Sequence, residues 1–209
     1  MPSAINQQDF ADPISRRLAR GESLGESSQI WLDPWGRSTV PIVNGGMVDP
    51  EPYEIAAGTT LYRFASAGDG VEGALRGGWW LERRQLDHLI RYSQVNGRTL
   101  GYAVRLLCCV PPEWGSALNF LVAVKAAGTL MAWRGLANSA VGVFSPPAGM
   151  PAAAAGTTRI TARNDVAALR VPQLFIPGTR RPGAASALFR YEGQWQTEGA
   201  RDWVFGSGQ

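Results

Sequence analysis

The chain has 209 residues, 45% of them hydrophobic, and a formal net charge of +3, which suits one sizeable domain, with or without an irregular arm. Every one of its 20 basic residues except Lys125 is an arginine. They are scattered, with only Arg16-Arg17, Arg83-Arg84 and Arg180-Arg181 adjacent, which excludes a nucleic-acid-binding stripe. A single histidine (His88), two neighbouring cysteines (Cys108 and Cys109) inside an apolar run, and no long unbroken apolar segment argue against a zinc site, a His-dependent nucleophile and a membrane helix.

Residues 1–50 are polar and punctuated by turn signals at Asp12-Pro13, Asp33-Pro34-Trp35-Gly36 and Asn44-Gly45-Gly46. They read as an extended arm or docking segment, anchored by Trp31 and Trp35, with a short helix over Ile14–Leu24 capped by Asp12. The body is expected over residues 51–209. Thr59–Ser66 reads as a strand, and the glycine-rich Ala67–Gly78 as a loop. Gly77-Gly78-Trp79-Trp80-Leu81 then leads into a helix over Glu82–Val95, where Leu86, Leu89 and Ile90 recur at helical spacing and Asn96-Gly97 ends the run. Gly101–Val110 looks β-like and stops at Pro111-Pro112. Leu118–Val124 and Thr129–Leu136 are two further apolar runs broken at Gly128, and Pro146–Ala155 is a Pro/Ala-rich loop. Thr158–Ala162 suggests an edge strand, and Leu169–Ile176 a strong strand closed by the turn Pro177-Gly178. Ser186–Tyr191 and Gln194–Gln196 suggest a hairpin around Glu192-Gly193, and Trp203-Val204-Phe205 closes the chain. Strands dominate the second half and helices the middle, so the fold class is α+β.

Two of these strands carry one conspicuous polar side chain each. Leu61-Tyr62-Arg63-Phe64 presents an arginine, whose planar fork suits a phosphate or diphosphate; the alternative is a structural arginine paired with an acid such as Glu54. Gln173-Leu174-Phe175-Ile176 presents a glutamine able to orient chemistry beside it; the alternative is an exposed polar residue on an edge strand. At Gly77-Gly78-Trp79-Trp80, glycines allow close backbone approach and an indole face can stack on a flat ring, against the alternative of a core tryptophan pair. Tyr62 and Tyr92 are further stacking candidates. His88 reads as a helix-surface residue.

Together these motifs resemble the ADP-ribosyltransferase superfamily, including its toxin-like NAD glycohydrolase branch, over about residues 59–205. In that superfamily an early strand carries an NAD-binding arginine, which Leu61-Tyr62-Arg63-Phe64 matches. A late strand carries the residue that stabilises the ribosyl cation ahead of a Pro-Gly-Thr-like turn, which Gln173-Leu174-Phe175-Ile176-Pro177-Gly178-Thr179 matches with glutamine in the usual glutamate position. The resemblance implies a split-sheet α+β core and NAD as substrate, with no metal. It assigns NAD binding to Arg63, Tyr62, Gly78, Trp79, Trp80 and Tyr92, and catalysis to Gln173. A competing register places the catalytic carboxylate at Glu198, in Gln196-Thr197-Glu198. The chain departs from the family in lacking a Ser-Thr-Ser motif, Ser139 and Ser145 being only loosely placed, and in the missing glutamate at 173.

The expected function is that of an NAD-consuming toxin or effector, either NAD glycohydrolase or mono-ADP-ribosyltransferase. A protein target, immunity protein or carrier would dock through residues 1–50. The alternative is a non-catalytic binding or assembly protein that docks through the same arm, and a transferase acting on nucleic acid is a more distant third. No secretory leader is visible in the polar N-terminus, so the expected place is the cytoplasm, or export as an effector without a cleaved signal peptide.

Overall fold

A computed structural model describes residues 3–22, 43–114, 117–144, 156–160 and 170–198. The fold is mixed α and β. Its strands are β1 (Met47–Ile55), β2 (Thr60–Ala65), β3 (Trp79–Glu82), β4 (Phe120–Ala126), β5 (Leu130–Ala137), β6 (Ala140–Phe144), β7 (Gly156–Ile160), β8 (Pro172–Phe175) and β9 (Phe189–Gln196). Its helices are α1 (Gln7–Ala11), α2 (Pro13–Ala19), α3 (Gly70–Leu75), α4 (Arg83–Asn96), α5 (Leu100–Leu107) and α6 (Ala184–Leu188). Seven strands form one antiparallel sheet in the order β1-β5-β8-β3-β2-β4-β9, and β6 and β7 form a separate two-stranded sheet. Trp31, Trp35, Ser145, Pro146–Ala155 and Trp203-Val204-Phe205 lie outside the described residues.

The short strand β3 joins the two halves of the large sheet. Its first two residues pair with β8, Trp79 opposite Phe175 and Trp80 opposite Leu174. Its last two pair with β2, Leu81 opposite Tyr62 and Glu82 opposite Leu61. Ladder pairing between β2 and β3 therefore stops just before Arg63, while β2 continues along β4, with Arg63 opposite Val122. β4 and β5 follow each other in the chain across a short turn but lie in opposite halves of the sheet.

Alternation along the strands sorts the apolar residues into layers. Leu61, Trp80, Phe120, Val122, Val124, Leu130, Ala132 and Leu174 pack into one core drawn from both halves. On the other face of the β2–β4 half, Phe64, Leu81 and Leu121 pack against Leu86 and Leu89 of α4 and Val104 and Leu107 of α5. Over the β1–β5–β8 half, Phe10 and Ala19 from the N-terminal helices cover Trp133, Met47, Trp79 and Phe175.

The N-terminal segment is built into this body. Asn6 is buried; its Nδ2 donates to the Met131 carbonyl at 2.8 Å and its Oδ1 accepts from the Met131 N–H at 2.8 Å, mimicking a strand partner for β5. Phe10 stacks on Trp133 at 4.6 Å between ring centroids, and Ser15 Oγ accepts from the Trp133 indole N–H at 2.9 Å. Asp12 caps α2 by accepting from the Ile14 N–H, as its place before Pro13 suggests, and within the described residues α2 is shorter than the helix expected over Ile14–Leu24, ending at Ala19.

Several elements differ from the sequence reading. The β-like run at Gly101–Val110 is helical as α5 over Leu100–Leu107. Thr99 caps it by accepting from the Tyr102 N–H, and Leu100, Ala103, Val104 and Leu107 form one apolar stripe, so capping and periodicity override the strand preference of Val, Tyr and Cys. The glycine-rich loop contains α3, and Trp79-Trp80-Leu81 is the strand β3. The hairpin expected around Glu192-Gly193 is one continuous strand, because Glu192 is the extra residue of a bulge between Tyr191 (opposite Val124) and Gly193 (opposite Ala123). Among the described residues, no helix is long and apolar enough to cross a membrane.

Candidate functional site

Arg63, Tyr62, Gly78, Trp79, Trp80 and Gln173 all line a single cavity of about 650 Å³ between the N-terminal segment, α5 and the sheet. Tyr92 and Glu198 are not part of this lining. Tyr92 is packed, partly buried, into the α4–α5 layer, and Glu198 is exposed beyond the end of β9, where its carbonyl accepts from the Gly101 N–H. His88 is exposed on α4.

Arg63 occupies the place where β2 and β3 part. Its Nη1 donates to the Trp79 carbonyl at 2.9 Å, while its buried Nε has no hydrogen-bond partner. No ion pair with Glu54 or any other acid is formed among the described residues. Burial, and then the nearby positive charge of Arg180, pull the guanidinium down from its usual range to about 10, with Asp69 opposing. The group still carries its charge at neutral pH, in a setting that disfavours that charge.

Gly77 makes this placement possible. A Cβ at Gly77 would lie 1.8 Å from Cζ of Arg63 and 1.9 Å from its Nη2, so only glycine leaves room for the guanidinium to lie across the backbone. Gly78 is equally tight on the other side, where a Cβ would meet the Phe175 ring at 2.6 Å. The glycine pair thus seats Arg63 and Phe175 side by side. Sequence reasoning gave both glycines for close ligand approach and placed Gly78 in the binding set; the one that seats the arginine is Gly77.

Gln173 lies on β8, an interior strand between β5 and β3, and is 8% exposed. Its Nε2 donates to the Cys108 carbonyl at 3.1 Å, which fixes the amide orientation, and among the described residues its Oε1 takes no donor. The Cys108-Cys109 turn that holds it follows α5, has Cys109 at a φ of 53°, and is tied by Arg105 Nη1 donating to the Val110 carbonyl. Burial pushes the Cys108 thiol well above its ordinary range and that of Cys109 up to about 11, with Arg170 opposing at Cys109. Both are therefore neutral, poorly nucleophilic thiols.

The aromatic residues divide their roles. Trp80 is buried in the core, with its indole N–H donating to the Gly77 carbonyl and its ring packed on Phe189 at 4.7 Å. Trp79 is only partly buried and meets Phe175 at 5.1 Å with the planes tilted by 56°. These two rings form the flat apolar part of the lining.

Charged groups crowd the same space. Asp9 pairs with Arg181 at 2.5 Å, Glu22 pairs with Arg17 at 2.6 Å, and Asp12 caps α2. Arg180, on the turn after β8, is exposed and has no acidic partner among the described residues. Among those residues, no group of three or more His, Cys, Asp and Glu side chains is placed to hold a metal ion. No protein-family model, no curated protein and no solved structure matches the chain.

Proposed function

We propose that this cavity binds NAD and cleaves its nicotinamide–ribose bond, as a toxin-like glycohydrolase or mono-ADP-ribosyltransferase. The observation that carries this reading is that Arg63 and Gln173, far apart in the chain and on strands from the two halves of the sheet, line one cavity together with Trp79 and Phe175. A sheet divided at β3, with the arginine where the halves separate, also suits the split-sheet core expected for that superfamily.

In this reading the Arg63 guanidinium neutralises the diphosphate, and its burial makes that interaction stronger than it would be in water. The nicotinamide ring lies against Trp79 and Phe175. Gln173, held by Cys108, offers Oε1 to a ribose hydroxyl. As the glycosidic C–N bond breaks, its electron pair leaves with neutral nicotinamide and positive charge develops on the ribose. Water then adds at the same carbon and loses a proton, giving ADP-ribose, or a nucleophilic side chain of a target takes the place of water. An amide cannot remove a proton from a bound protein acceptor as a carboxylate can, whereas water is abundant and passes its proton to solvent after capturing the ribosyl cation, so hydrolysis is favoured over transfer to a protein. Orientation and preorganised electrostatics supply most of the rate.

The test is a thermal-unfolding titration with NAD, followed by product analysis. NAD at a hundredfold excess over Kd should stabilise the fold by about 3 kcal/mol, and nicotinamide and ADP-ribose should accumulate together. An unchanged melting temperature with no nicotinamide would refute the reading. A second reading, a non-catalytic binding protein, draws on the terminal strand β9, where Tyr191 and Trp195 are about half exposed at 48% and 51%. It predicts no saturable response to NAD.

A further inference from the structure

We propose that Arg180 is a second anion-binding residue, forming with Arg63 a two-cation seat for a diphosphate; the identity of that ligand as NAD rests on the reading above, but the seat itself does not.

The turn that carries Arg180 is fastened to the segment on which Arg63 lies. The Ile176 N–H donates to the Gly78 carbonyl at 2.8 Å, and Thr179 Oγ1 donates to the Arg76 carbonyl at 3.1 Å. Between those two attachment points is Gly77, whose open Cβ position the Arg63 guanidinium fills, and just beyond it the Trp79 carbonyl that Arg63 holds. One backbone hydrogen bond and two side-chain bonds to backbone carbonyls thus bring the two arginines to one cavity.

Neighbouring like charges in a partly buried place are costly unless an anion joins them. Among the described residues neither Arg63 nor Arg180 has a carboxylate partner, whereas the third arginine of the lining, Arg181, is already neutralised by Asp9. Arg63 carries an unsatisfied buried Nε, and Arg180 is exposed. A buried cation beside an exposed one suits a ligand with two linked phosphoryl groups: one is seated on the buried guanidinium and the second is gripped at the mouth.

The N-terminal segment positions this grip. Asn6 Nδ2 donates to the Pro177 carbonyl at 3.3 Å, and a Cβ on Gly178, whose φ is 90°, would fall 2.5 Å from Asp9 Oδ2. The Arg180 turn is therefore held between the N-terminal segment and the glycine pair.

The experiment uses the full chain and inorganic pyrophosphate as probe, by calorimetric titration at fixed ionic strength, on wild type, Arg180→Gln and Arg190→Gln. Arg190 is an exposed arginine on β9 outside the cavity and controls for overall charge. Pyrophosphate should bind saturably, Arg180→Gln should weaken it about tenfold, or about 1.4 kcal/mol, and Arg190→Gln should leave it within about twofold. Equal binding by Arg180→Gln and wild type, or equal losses in both variants, would overturn the proposal, as would no pyrophosphate binding at all. KM for NAD separates this failure from failure of the NAD reading. NAD cleavage with an unchanged KM in Arg180→Gln removes Arg180 and keeps NAD. Arg180-dependent pyrophosphate binding with no NAD cleavage keeps the seat and removes NAD.

Discussion

Replacing Arg63 by methionine separates a ligand-binding arginine from a structural one. Burial, with the nearby charge of Arg180, disfavours the charged guanidinium in the free protein, an unfavourable contribution on the order of a few kcal/mol. Against this, Arg63→Met removes the bond from Nη1 to the Trp79 carbonyl, worth about 1.5–3 kcal/mol for a charged donor. A flexible methionine fills the space over Gly77 without charge. The two terms nearly cancel, so the stability change should stay within about 1 kcal/mol in either direction, while the NAD-dependent rise in melting temperature disappears. A structural arginine in a buried ion pair would instead lose about 3–5 kcal/mol on truncation. Urea unfolding of both proteins at neutral pH measures the difference. The sign of the pH linkage follows from the same shift: above about 10 and up to the ordinary arginine range the unfolded chain holds the Arg63 proton more than the folded one, so this contribution makes wild type relatively more stable as pH rises there. A loss of 3 kcal/mol or more in Arg63→Met at neutral pH would refute the reasoning.

Other outcomes follow from the same geometry. Gly77→Ala should leave stability within about 1 kcal/mol, because only the end of the Arg63 side chain must move, yet weaken NAD about tenfold or more by displacing the guanidinium; calorimetry against unfolding data checks both halves. Asn6→Ala should destabilise the protein by about 2–4 kcal/mol, since it leaves the Met131 N–H and C=O without their side-chain partner in a buried place, and chemical denaturation reads this directly. Cys108 and Cys109 should resist a thiol-reactive dye at pH 8 in the native protein and react fully in denaturant. Their raised values also give a sign: unfolded thiols ionise from about 9 while Cys109 stays protonated to about 11, so this contribution to stability is present below about 9 and is lost as pH rises to about 11.

The strands that carry the site were legible because their signals are local. β2, β4, β5 and β8 are short apolar runs bounded by glycine, proline or polar turns, and α4 shows both its period and its left-handed stop at Gly97, whose φ is 59°. Elements decided by tertiary context were not. β1 contains Pro50 and Pro52, which cannot donate to a ladder but are tolerated on an edge strand. β3 is four residues long and owes its existence to partners on both sides. In β9, Glu192-Gly193 supplies turn chemistry, but pairing with β4 along the whole strand absorbs it as a bulge. The same divide runs through the site. Arg63 and Gln173 announce themselves as polar residues on strands, and Trp79 as an aromatic residue next to two glycines. Gly77 acts through an absent side chain, and Arg180 depends on a turn docked against Asp9 and Asn6 from the opposite end of the chain. No local pattern encodes such contacts.

The most direct test of the central claim is free nicotinamide released from NAD by purified wild-type protein, Arg63→Met and Gln173→Ala, each verified as folded. The account predicts steady release by the wild type and a fall of about a hundredfold or more in kcat/KM in each variant, about 2.7 kcal/mol of lost transition-state stabilisation. Release at equal rates by all three proteins, or none from wild type that is folded and saturated with NAD, would contradict it.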